Sequence, residues 1–145
     1  MDANMREMAL RIVNGLDEDI LKPVGKQMSE KSKTSLLSIT ERCCAALIDF
    51  LSQDRLHNSC LRYSGNGASL CSDGVDYEVR EVIDLFSYQI IDSLDDILFD
   101  KKQKISGDWQ HEEQIGFMMN DTDWYRADAM IKDSVKQITC AIAGV

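Results

Sequence analysis

The sequence predicts an all-α fold: a compact bundle of about six helices forming one domain over residues 1–145. Three features carry that expectation. Apolar residues recur every three or four positions along most of the chain, and the alternation expected of a half-buried strand is nearly absent. Pro23 is the single proline and glycine is sparse at 8, in a chain rich in Leu, Ile, Met, Lys, Glu and Asp. Capping and breaking residues fall between the periodic stretches, where helices should begin and end.

Met5, Met8, Ala9, Ile12 and Val13 place a first helix at 2–14, with Asn14-Gly15 as its stop. Asp17, Glu18 and Asp19 suit the positive end of a second helix, whose apolar positions are Ile20, Leu21, Val24 and Met28. Pro23 should end or kink it. Thr34 or Ser35 can cap a third helix running to about residue 55. Its stripe of Leu36, Ile39, Cys43, Leu47, Phe50 and Leu51 is widened by Leu37, Cys44 and Ile48, which marks it as a central helix.

Residues 56–76 change character. Ser64-Gly65-Asn66-Gly67 and Ser72-Asp73-Gly74 are turn signals, and the segment at 60–75 reads as a short hairpin or a loop. Asp76 can cap a long helix at 77–102, with Val79, Val82, Ile83, Phe86, Ile90, Leu94, Ile97 and Leu98 facing inward. Ser106-Gly107 breaks the chain before a short helix at 108–120. Asp121 or Asp123 caps the last helix, 123–143, and Gly144 closes it.

A chain of this length buries roughly two-thirds of its unfolded surface, so neither a metal nor a disulfide is required to hold it. The five cysteines are odd in number and irregularly spaced, and Cys43 and Cys44 lie inside an apolar run, as small core residues do in a reducing compartment. No stretch approaches the ~20 apolar residues that cross a bilayer, and Met1–Leu16 carries charges throughout rather than an export signal. A cytoplasmic protein that does not bind membranes is expected.

Charge is the least even property of the chain. Net charge is −9. Residues 1–62 balance nine bases with nine acids, residues 101–145 set six bases against seven acids, and residues 63–100 hold Arg80 alone against nine acids. Such a field repels phosphates, so direct nucleic-acid binding is not expected, and a basic protein partner is favoured.

The acids fall on the long helix. At 100° per residue, Val79, Ile83, Phe86, Ile90 and Ile97 cluster within about 40° of one direction. Glu78, Glu81, Asp84, Asp92, Asp95 and Asp96 take the opposite half, together with Leu85, Tyr88 and Phe99. A purely solvated face has no need of those three apolar residues, unless the short helix at 108–120 covers them. The pattern suits a partner-binding surface of Glu81, Asp84, Leu85, Tyr88, Asp92, Asp95, Asp96 and Phe99. Tyr88 and Phe99 would anchor and the carboxylates would meet Lys or Arg. The expected role is a non-catalytic inhibitor or regulatory partner, comparable in size and charge to immunity proteins, antitoxins and phage or viral inhibitors. No cofactor and no catalytic residue is expected.

Two other readings arise from the same residues. Glu78-Val-Arg-Glu81 and Asp92-Ser-Leu-Asp95 resemble the paired acidic motifs of all-α nucleotide pyrophosphohydrolases. That resemblance implies an Mg²⁺-dependent hydrolase of a phosphorylated substrate, although in that family the motifs lie on two facing helices and here both lie on one. Alternatively, the outer face is a homodimer contact. His57, Cys60 and Cys71 supply three zinc-ligand types but no C-x-x-C pair, one ligand short of a structural site.

Overall fold

The structure, a computed structural model, describes residues 2–66, 74–106 and 120–144, and every described element is helical. Five α-helices appear among them: α1 (Asp2–Gly15), α2 (Glu30–Leu51), α3 (His57–Asn66), α4 (Gly74–Ser106) and α5 (Asp121–Ala143). The expected helix at 108–120 lies outside the described residues except for Asn120, and the loop half of the 60–75 segment does too.

The second helix expected from Asp17 does not form separately. Gly15 keeps helical dihedrals, φ −62° and ψ −41°, and the chain runs on into a π-helical turn at Leu16–Leu21 and a 3-10 turn at Lys22–Val24. The wider π turn brings Leu16, Asp17, Ile20 and Leu21 all inward. Gly25, at φ 75°, then ends the run in the left-handed conformation that glycine adopts without steric cost. The acidic triplet that looks like a helix start thus contributes one buried carboxylate. Asp17 accepts the backbone N–H of Met28 at 3.1 Å and pairs with Lys33 Nζ at 3.1 Å, which ties this turn to the start of α2.

The cap of α2 is Ser29 rather than Thr34 or Ser35: its hydroxyl accepts the Ser32 N–H at 3.1 Å. Thr34 lies a turn inside and returns its hydroxyl to the Glu30 carbonyl. The helix stops at Leu51, four residues short of expectation, because Gln53 is extended. Its most buried line is Leu36, Thr40, Cys44, Leu47 and Leu51, while Ile39, Cys43 and Phe50 are half-buried.

No hairpin forms at Cys60-Leu61-Arg62-Tyr63. This stretch is α3, because Leu56, Cys60 and Tyr63 follow helical spacing and all three are buried. α4 starts at Gly74, so Asp76 sits in its first turn rather than at its cap. The last helix is capped by Asn120, whose side chain accepts the Asp123 N–H at 2.8 Å, and Gly144 closes it at φ 77° as expected.

One hydrophobic cluster unites all five α-helices. α1 packs on α2, α2 on α4, and α5 lies against both α3 and α4. Ile90, Ile91 and Leu94 of α4 are fully buried, as are Ile12, Leu36 and Ile131 on three neighbouring helices. α4 thereby becomes a central strut with one side sealed and the other turned outward.

Candidate functional site

The outer side of α4 carries the residues singled out from the sequence. Leu85 and Tyr88 are each 54% exposed, a large fraction for apolar side chains on a helix whose other side is fully sealed. Glu81 and Asp96 are exposed, and Asp92 and Asp95 half-buried. The Phe99 side chain lies outside the described residues. The sequence reading missed Tyr77, which is 56% exposed on the same side. Its position one turn before Glu81 was the available signal. Hydrogen bonding to the Glu81 carboxylate, reinforced by its charge, pushes the Tyr77 phenol pKa up.

On an ideal helix Tyr77, Glu81, Leu85, Tyr88, Asp92 and Asp96 fall within an arc of about 100°. From Tyr77 to Asp92 the strip runs about 22 Å at 1.5 Å per residue. Rings, an isobutyl group and carboxylates therefore share one strip.

The flanks of the strip differ. On the α5 side, Asp84 pairs with Lys132 at 2.7 Å, and Lys132 also reaches Asp128 at 3.1 Å. Ser87 donates to Asp128 at 2.6 Å. Burial pulls the Lys132 pKa down, but hydrogen bonds to the two aspartates outweigh it and the net shift is upward. Asp84 is thus partly neutralised from within, whereas Glu81 and Asp96 make no ion pair with the described residues. Tyr88 leans on Trp124 of α5, with ring centroids 6.0 Å apart and an interplanar angle of 50°, which limits its rotamers while leaving it accessible. On the α2 side, an open groove of about 420 Å³ is bounded by Ile39, Cys43 and Ala46 opposite Tyr88 and Asp92, with Arg42 at its edge.

The acidic pairs suited to Mg²⁺ do not converge. Glu78 is held by Arg55 through two N–H donors, at 2.8 and 2.7 Å. That contact pulls the Glu78 pKa down and occupies both of its oxygens. Among the described residues no group of three or more His, Cys, Asp or Glu side chains is placed to hold a metal ion. Of the zinc-type residues, His57 is exposed and Cys60 is buried, its thiol directed to the Leu51 carbonyl at 3.6 Å, and Cys71 lies outside the described residues. Among the described helices none is long and apolar enough to cross a membrane.

These elements define an all-α protein with a long central helix whose outer strip mixes exposed rings and carboxylates. No protein-family model, curated protein or solved structure matches the chain.

Proposed function

We propose that this is a non-catalytic interaction protein that covers a basic surface of another protein with the outer strip of α4, acting as an inhibitor or regulatory partner. The observation that carries the reading is the coincidence, on one strip, of Leu85 and Tyr88 at 54% exposure with the exposed acids Glu81 and Asp96. Burying the two apolar side chains would supply most of the affinity. The carboxylates would steer a cationic partner and set its register. Tyr77 extends the apolar contact toward the start of the helix, and Asp92 places a charge at the groove beside Tyr88. Asp84, already paired with Lys132, would contribute shape more than charge.

The homodimer reading is weaker on electrostatic grounds, because Glu81, Asp92 and Asp96 of two copies would face like charges. The hydrolase reading would have to displace Arg55 from Glu78 before that carboxylate could meet Mg²⁺. A cytoplasmic location accords with the free thiols of Cys43, Cys44, Cys60 and Cys140.

The test is affinity purification from the native host with wild type, Tyr88→Ala and the triple variant Glu81→Lys/Asp92→Lys/Asp96→Lys. The wild type should recover one stoichiometric basic protein, with association slowing as salt rises. Both variants should lose it while keeping the wild-type circular dichroism. A partner retained by the triple variant at unchanged affinity would rule out this surface.

A further inference from the structure

We propose that the cleft enclosed by α3, α4 and α5 is a binding site for a small organic anion with an apolar body. It is separate from the outer strip of α4 and does not depend on the partner reading. The cleft holds about 490 Å³, within the range of small-molecule sites. Ile83 and Ala129 give it an apolar wall, and Arg80, Lys132 and Lys136 bring three cations to it. Asp84 and Asp133 also line it, so the wall is basic by one charge in a chain of net charge −9.

Tyr63 of α3 also lines the cleft. The residue is only 5% exposed, and its hydroxyl, which makes no hydrogen bond to the described residues, is the atom that solvent reaches. A ligand oxygen can take the place of water as the acceptor of that hydroxyl. The phenol lies in the field of Lys132, Asp84, Asp128 and Asp133, the charged groups of this wall. Burial pushes its pKa up to about 12, so at neutral pH it is a neutral donor.

The charges sort by commitment. Lys132 is spent on Asp84 and Asp128. Lys136 makes no ion pair with the described residues, so its ammonium is the cation left for a ligand. Asp133, the remaining acid of the wall, is exposed, where water screens it. A carboxylate or phosphate group between the Tyr63 hydroxyl and Lys136, with its apolar body against Ile83 and Ala129, satisfies both polar groups at once.

The probes are benzoate, inorganic phosphate and, as the opposite charge, benzylamine, each titrated into ¹⁵N-labelled protein and followed by amide shifts. Benzoate should saturate shifts at Tyr63, Ile83, Ala129 and Lys136. Lys136→Gln should weaken it roughly tenfold or more, the scale of a hydrogen bond to a charged group. Tyr63→Phe, which keeps the ring and therefore the packing, should weaken it severalfold. Phosphate that competes with benzoate assigns the site to the anionic group alone, and phosphate that does not assigns it to carboxylates with an apolar body. The proposal fails if neither anion gives a saturable response, if benzylamine binds as tightly as benzoate, or if both variants bind benzoate like wild type.

Discussion

Asp76 should be among the most sensitive polar positions in the molecule. It is fully buried in the first turn of α4 and accepts the Ser59 hydroxyl. Arg62 grips it from α3, with Nε 2.8 Å from one oxygen and Nη2 2.5 Å from the other. Replacing it by Ala removes two charge-assisted hydrogen bonds, each worth about 1.5–3 kcal/mol. The Arg62 side chain is 36% exposed and regains water, which favours the lower end for each bond. The buried Ser59 hydroxyl loses its acceptor, and the total for Asp76→Ala comes to about 3–4 kcal/mol. For a chain of this size that lowers the melting midpoint by roughly 6–16 °C. Arg62→Ala should cost a similar about 3–5 kcal/mol, because it removes the guanidinium charge that faces a buried carboxylate. The double variant should then cost little more than either single one. Urea unfolding of the four proteins gives the coupling energy, expected at about 2 kcal/mol or more. Single effects below about 0.5 kcal/mol, or strictly additive ones, would refute the argument that this clasp joins α3 to α4.

Three further outcomes are expected. Leu94→Ala, at a fully buried site, should cost about 3 kcal/mol in the same unfolding assay, whereas Leu85→Ala on the exposed strip should stay within about 0.5 kcal/mol. Ser29→Ala should cost about 1 kcal/mol and Thr34→Ala clearly less, since Ser29 holds the N-terminal N–H of α2. Burial raises the thiol pKa values of Cys43, Cys44 and Cys60, that of Cys44 from 9.0 to about 12. Above pH 9 the unfolded chain therefore releases protons that the native state retains, and stability should fall by about 1.4 kcal/mol per pH unit for each such thiol, Cys44 contributing as far as about pH 12. Stability measured from pH 8 upward should show this decline, and Cys44→Ala should make it shallower by one proton.

Amino-acid order alone determined the helical class, the two longest apolar stripes and the side of α4 that faces outward. Each follows from the 3.6-residue period, which a single helix expresses without help from its neighbours. Glu81, Leu85, Tyr88 and Asp96 could be placed on that side for the same reason, and Gly144 could be named as a closing residue because only its own backbone is involved. The π turn at Leu16–Leu21, the helix at His57–Asn66 and the cap at Ser29 were settled by tertiary structure. At each of these the local signals compete: Asp17 resembles a helix start until Met28 and Lys33 arrive to hold it inside, and the glycines after Ser64 resemble a hairpin until Cys60 and Tyr63 find a core to enter. The same holds for the cleft. Tyr63 and Lys136 are far apart in the chain, and what brings a buried phenol to the same cleft as an ammonium is the packing of three helices, a relation between residues that no periodicity encodes.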